Sequence, residues 1–72
     1  MDTVVLTEFG KTIQTLRKRR NLSQESLAHH IGVHRTYMGF IERGERNPTL
    51  LNIYKLSRAL GVKLSDLFAF DD

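Results

Sequence analysis

A stretch that begins at residue 35 places an unusual set of side chains on one side of a predicted helix. This side carries two guanidinium groups, a hydroxyl with a methyl group, a glycine and an aromatic ring: Arg35, Thr36, Gly39, Phe40 and Arg43. Guanidinium and hydroxyl groups hydrogen-bond to base edges and phosphates, and apolar groups contact the thymine methyl. The set therefore predicts a surface that contacts nucleic acid.

Residues 24–31 are predicted to form the first of two short helices that position this surface. The apolar residues of this segment share one helical face: Leu27, Ala28 and Ile31. Ser23 is expected to cap the helix, because its hydroxyl can accept from a free backbone N–H of the first turn. Gly32 is expected to end it, because glycine adopts the left-handed conformation without a steric clash.

The second helix is predicted over residues 35–43, with Gly44 beyond its end. Its core side carries Tyr37, Met38 and Ile41. A helix, a short glycine turn and a second helix with a face suited to bases and phosphates together make a helix-turn-helix.

Gly39, Phe40 and the cations at 18–20 each leave two interpretations open. Glycine inside a helix costs about 1 kcal/mol relative to alanine, so Gly39 either allows close approach to a base or backbone or is simply tolerated. Phe40 either contacts a thymine methyl or folds over the rim of the domain. The cations either form a phosphate-contacting edge or compensate the helix dipole.

The rest of the chain predicts three further helices and no strand. In chain order, the five predicted helices are helix 1 over about 8–20, helix 2 over 24–31, helix 3 over 35–43, helix 4 over 50–60 and helix 5 over 65–69. Residues 1–6 are expected to be a frayed arm, and Thr7 is expected to cap the first helix. The fourth helix is expected to place four residues in the core: Leu50, Ile53, Leu56 and Leu60. These patterns predict an all-α fold, a compact five-helix bundle in a single domain over 1–72.

Composition narrows the function classes. The 72 residues carry a net charge of +3 and no cysteine, and the pI is 9.7. A basic pI is compatible with a polyanionic partner. The lack of cysteine excludes a disulfide framework and suits the cytoplasm. The opening MDTVVLTEF has no basic segment and is not expected to be a secretion signal, and no run approaches the roughly 20 apolar residues of a membrane span.

The three histidines do not form a convincing metal site. His30 and His34 are four residues apart, but the turn at Gly32 separates them, and no carboxylate or thiol completes a set with His29. No catalytic triad, carboxylate pair or phosphate loop is present either. We therefore expect no metal, no cofactor and no enzymatic activity.

Three segments of the chain together resemble the phage-repressor-like (XRE-type) helix-turn-helix proteins: LSQESLAHHIGV, RTYMGFIERGERNPTL and YKLSRALGVKLSDLF. They cover residues 22–68, and the predicted helix 1, which contains IQTLRKRRN, extends the match to about Thr7. The middle segment looks most like the controller proteins of restriction–modification systems. The resemblance implies a five-helix DNA-binding domain, a homodimer, a palindromic double-stranded operator and transcriptional control, often of the protein's own gene. RNA polymerase is considered as a further partner.

The resemblance also implies roles for single residues. Gln24 resembles a family glutamine that donates to a phosphate. Arg35 and Thr36 are similar in position to the residues with which the family reads bases. Tyr37 and Arg46 resemble residues that contact the DNA backbone or minor groove in controller proteins.

Arg17 and Glu42 occupy the positions of a family ion pair that ties helix 1 to helix 3. The sequence departs from the family pattern at three positions. His34 and Lys63 replace the Asp or Ser that usually caps helices 3 and 5, and Phe40 replaces a small or polar residue. These departures bear on the operator sequence.

A two-fold dimer interface is predicted from the C-terminal part of helix 4 and the last helix. Leu51 and Tyr54 lie off the core stripe of helix 4, and Phe68 and Phe70 are expected to add unburied aromatic surface. An alternative function is an antitoxin-type protein-interaction module with secondary DNA binding. We expect residues 69–72 to be too short for the toxin-binding segment that such a module needs.

Overall fold

The computed structural model describes residues 2–70, and every regular element in that range is helical. The elements are α1 Asp2–Arg19, α2 Gln24–Ile31, α3 Arg35–Glu42, α4 Leu50–Leu60 and a C-terminal 3-10 helix Leu64–Phe68. The all-α class is confirmed, but the predicted fifth α-helix is a 3-10 helix of five residues. Within residues 2–70, no helix is both long enough and apolar enough to span a bilayer.

The start of α1 corrects two predictions. α1 begins at Asp2, so a frayed arm over 1–6 is wrong from residue 2 onward, while residue 1 lies outside the described range. Thr7 is not a cap but lies inside the helix, where its hydroxyl donates to the carbonyl oxygen of Thr3 at 3.1 Å. The two valines of this first part are exposed, so no apolar periodicity reveals it. It is helical because no proline or glycine interrupts it, and extending an existing helix costs little.

Local signals set the bounds of α2. The Ser23 hydroxyl accepts from the N–H of Ser26 at 3.0 Å, as its place before the helix predicts. Gly32 follows α2 in the left-handed conformation, with φ of 75°. The turn then closes with a hydrogen bond of 3.0 Å from the N–H of Val33 to the carbonyl oxygen of Ala28.

α3 begins with an unusual cap. Nδ1 of His34 accepts from the N–H of Thr36 at 3.0 Å, so the imidazole takes the place of the expected Asp or Ser oxygen. The helix ends at Glu42, one residue earlier than predicted, and Arg43 forms its C-cap.

The core lies between α1, α2, α3, α4 and the 3-10 helix. Its buried apolar residues are Phe9, Ile13, Leu27, Ala28, Ile31, Met38, Ile41, Leu56, Leu60 and Leu67. Leu50 was predicted to join them but is 76% exposed. It is the first residue of α4, and helical side chains tilt toward the N-terminus, so it projects beyond the end of the helix. Ser57 takes a core-side position of α4 instead, with its hydroxyl donating to the carbonyl oxygen of Tyr54 at 2.6 Å.

Gly10→Ala is expected to destabilise the protein, although alanine favours a helix over glycine by about 1 kcal/mol. The added Cβ would lie 2.5 Å from the carbonyl oxygens of Ile41 and Glu42, which are backbone atoms of α3. Overpacking of this kind costs about 1–3 kcal/mol. We expect a lower Tm in thermal unfolding. Gly39→Ala is the control, because its nearest neighbour is the exposed end of the Arg43 side chain, which can shift outward, and not fixed backbone. Equal Tm values for wild type and Gly10→Ala would contradict the predicted clash.

Candidate nucleic-acid interface

The first turn of α3 presents the residues that the sequence predicts for base contact. Arg35 and Thr36 are both exposed. Their position is set by the His34 cap, which accepts from the backbone of Thr36 itself. A guanidinium and a hydroxyl therefore stand at the N-terminal end of the second helix of a helix-turn-helix, the part that contacts base edges in DNA-binding proteins of this architecture.

The chain reverses direction directly after α3. The N–H of Glu45 donates to the carbonyl oxygen of Phe40 at 2.8 Å. The N–H of Gly44 donates to the carbonyl oxygen of Ile41 at 3.1 Å. This pair of bonds is a Schellman motif. It requires the left-handed Gly44, whose φ is 74°.

Two arginines lie over the ring of Phe40 at this turn. The Cζ atom of Arg43 is 5.3 Å from the ring centroid, and that of Arg46 is 5.1 Å from it. Nε of Arg43 also lies 3.2 Å from the carboxylate of Glu45. Phe40 itself is half-buried, so the ring is a partly shielded support for two exposed cations.

Gly39 does not form an open gap in the surface of α3. It is buried, and a Cβ built on it would lie 3.1 Å from Nη1 of Arg43 and 3.7 Å from Oε1 of Gln24. The Arg43 side chain therefore lies across α3 at this point. The lack of a side chain at Gly39 makes room for Arg43, and Gly39 offers no open surface of its own for a base.

Arg17 and Glu42 form a buried ion pair beneath the interface. Nε of Arg17 donates to Oε2 of Glu42 at 2.6 Å, and Nη2 donates to Oε1 at 3.1 Å. A third guanidinium nitrogen donates to the carbonyl oxygen of Leu22 at 2.8 Å. The amide of Gln24 donates to Oε1 of Glu42 at 3.0 Å. Glu42 thus joins α1, the start of α2 and the end of α3.

Gln24 and Tyr37 both have structural contacts besides the roles implied by the resemblance. Gln24 is half-buried and already donates one amide hydrogen to Glu42, which leaves its second hydrogen for another acceptor. Tyr37 is also half-buried and packs against the core in the first turn of α3. Both side chains therefore lie at the border between the core and the α3 surface.

Arg20 has a structural contact that the sequence does not reveal. Nε of Arg20 donates to the carbonyl oxygen of Leu60 at 3.0 Å, and the guanidinium lies against Gly61. It therefore satisfies one of the free carbonyl groups at the end of α4. The four basic residues 17–20 lie at the end of α1 and just beyond it, and nothing in their spacing or composition separates Arg20 from its exposed neighbours Lys18 and Arg19.

Large apolar side chains are exposed on α4 and the 3-10 helix: Leu50, Leu51, Tyr54, Leu64 and Phe68. Phe68 also stacks on Phe9, with ring centroids 5.3 Å apart. Phe70 differs from the prediction, because it is half-buried and packs against the core and Phe68 rather than standing free. Three of the four residues predicted for a dimer interface are thus exposed.

No cluster of three or more His, Cys, Asp or Glu side chains that could hold a metal ion occurs among residues 2–70.

Comparison with known proteins places this arrangement among helix-turn-helix proteins. A helix-turn-helix family model, HTH_3, matches residues 13–67. Control protein C.BamHI of Bacillus amyloliquefaciens is 49% identical over 63 residues, 86% of this chain and 78% of the relative. Control protein C.MunI of Mycoplasma sp is 48% identical over 62 residues, 85% and 84% of the two chains.

A solved structure agrees with these relatives. The restriction–modification controller protein C.AhdI of Aeromonas hydrophila has a TM-score of 0.85 and 46% identity, over 88% of this chain and 96% of that one. The family model covers α2, α3 and the turn between them. This chain is therefore a member of the HTH_3 family of helix-turn-helix, DNA-binding transcription regulators, similar to the controller proteins of restriction–modification systems.

Proposed function

We propose that the protein is a homodimeric, sequence-specific regulator that binds a palindromic double-stranded operator. α3 would lie in the major groove, and Arg35 and Thr36 would contact base edges. The observation that carries the proposal is the exposure of Arg35 and Thr36 at the start of α3, which the His34 cap holds in place.

The remaining contacts would position the protein without reading sequence. Arg43 and Arg46 are exposed cations at the end of α3, suited to phosphates. Gln24 keeps an amide hydrogen for a phosphate, and Tyr37 adds a hydroxyl at the edge of the surface. Such contacts fix register and orientation, so base preference is assigned to Arg35 and Thr36.

The similarity to controller proteins supports a more specific proposal. The protein would control a restriction–modification system and regulate its own gene. It would act in the cytoplasm, with RNA polymerase as a further partner at the promoter, and without catalysis. DNase footprinting on the DNA upstream of its own gene should show two protected half-sites related by two-fold symmetry, with Arg35→Ala as the control. No protection there would overturn autoregulation.

Leu51→Glu is expected to disrupt the proposed dimer. Leu51 is 61% exposed on α4, so a carboxylate is harmless in a monomer but would be unpaired in a covered apolar contact. We expect the dimer dissociation constant to rise at least roughly hundredfold, measured by sedimentation equilibrium. Val4→Glu is a matched control, because Val4 is equally exposed at 61% but lies on α1. Wild-type protein that sediments at micromolar concentration only as an 8.3 kDa species would contradict the dimer.

A further inference from the structure

We propose that Phe40 is a positioning residue, whose ring holds the guanidinium groups of Arg43 and Arg46 together for contact with DNA phosphates. The proposal rests on the DNA-binding function proposed above. Phe40 acts on DNA binding only through Arg43 and Arg46, and its ring does not itself contact a thymine methyl.

The first support is the geometry of the three side chains. The guanidinium carbons lie 5.3 Å and 5.1 Å from the centre of the Phe40 ring. Both distances fall within the range of about 6 Å over which a ring face attracts a cation. One ring therefore has favourable contact with two cations that would otherwise repel each other.

The second support is the path of the backbone. Arg43 reaches the ring because residues three apart are neighbours on a helix. Arg46 is six residues from Phe40 and reaches it because the Schellman turn at Gly44 reverses the chain, with Glu45 bonded back to the Phe40 carbonyl oxygen. The ring thus lies where the end of α3 and the following loop meet.

The third support is the bare surface beneath Arg43. Gly39 has no side chain, and Nη1 of Arg43 would lie 3.1 Å from a Cβ there, so the guanidinium lies low across α3. Glu45 holds Nε of the same group at 3.2 Å. Ring, glycine and carboxylate together restrict a side chain that is free to rotate on most surfaces. Restriction before binding lowers the entropy lost when the arginine contacts a phosphate.

The test compares Phe40→Leu with Phe40→Tyr, which keeps the ring. Each is titrated with the operator selected by the wild type from random DNA, and with copies that carry single-base changes. Phe40→Leu should bind every sequence about tenfold more weakly than the wild type, with unchanged relative preference among sequences. Phe40→Tyr should bind like the wild type. In a protein that already lacks both Arg43 and Arg46 through substitution by alanine, Phe40→Leu should have no further effect.

A base-reading role gives the opposite pattern. Phe40→Leu would then alter base preference at one base pair per half-site. It would also weaken DNA binding by the Arg43→Ala/Arg46→Ala protein as much as it weakens binding by the wild type. Either result would overturn the positioning role. Circular dichroism checks that each variant is folded. If Phe40→Leu is not, NMR of the wild type still tests whether the ring contacts the two guanidinium groups.

A measurement without DNA separates this proposal from the proposed function. NMR of the free protein should show ring-current shifts for the Nε–H resonances of Arg43 and Arg46 that disappear in Phe40→Leu. Their absence in a wild type that binds DNA would overturn the positioning role alone. Their presence in a wild type that selects no duplex sequence would overturn the proposed DNA-binding function instead.

Discussion

Glu42→Ala is expected to lower the free energy of unfolding by about 3–5 kcal/mol. The side chains of Arg17 and Glu42 are only 9% and 2% exposed. Removal of the carboxylate leaves the Arg17 guanidinium buried without its counter-ion and leaves the Gln24 amide without its acceptor. The loss is large for a chain of this size, since domains are typically stable by only about 5–15 kcal/mol. Urea denaturation followed by circular dichroism measures it.

The control for this loss is Glu45→Ala. Glu45 also pairs with an arginine, Arg43, but both side chains are more than half exposed. An exposed pair contributes about 0–1 kcal/mol, so Glu45→Ala should unfold close to the wild type. A Glu42→Ala protein that unfolds with the wild type would show that the buried pair does not hold α1 and α3 together.

Arg35→Ala and Arg46→Ala are expected to impair DNA binding in different ways. Arg35 can bind O6 and N7 of guanine together, so its loss should cost about 1–3 kcal/mol per half-site and relax preference at one base pair. Arg46 lies in the loop beyond α3, stacked on Phe40, and is assigned to phosphate or minor groove. Loss of Arg46 should weaken binding to many DNA sequences about equally. It should also make the affinity less dependent on salt concentration, because fewer counterions are released.

Titration against operators with single-base changes, at two salt concentrations, separates the two effects. Lys11→Ala serves as a control, because Lys11 is an exposed cation on α1 that is assigned neither a DNA contact nor a dimer contact. An Arg35→Ala protein with the full base preference of the wild type would show that Arg35 is not the reading residue.

The sequence predicts the structure best where the structure depends on residues that are close together along the chain. Ser23 and Gly32 set the ends of α2 through contacts within the same turn, so both ends are where the sequence places them. The Arg17–Glu42 pairing spans 25 residues. Spacing alone does not predict it, and it was expected only through the resemblance to a family.

The missed features depend on which groups cover each residue in the folded chain, and hydrophobic periodicity does not predict that. Gly39 is buried because the Arg43 side chain lies over it and the Gln24 side chain of α2 lies nearby. Arg20 bonds to Leu60 across 40 residues, which no helical periodicity encodes. Leu50 fits the periodicity of α4 but lies at the helix end, where no neighbour covers it.

We propose that α3 reads DNA sequence in a two-fold dimer. Selection of bound sites from random duplex DNA tests it most directly, with wild type and Arg35→Ala selected in parallel. The wild type should enrich a palindrome whose half-sites are about 34 Å apart along the duplex. Arg35→Ala should lose preference at one symmetric pair of positions. Wild-type sites without a shared sequence or without two-fold symmetry would contradict the claim.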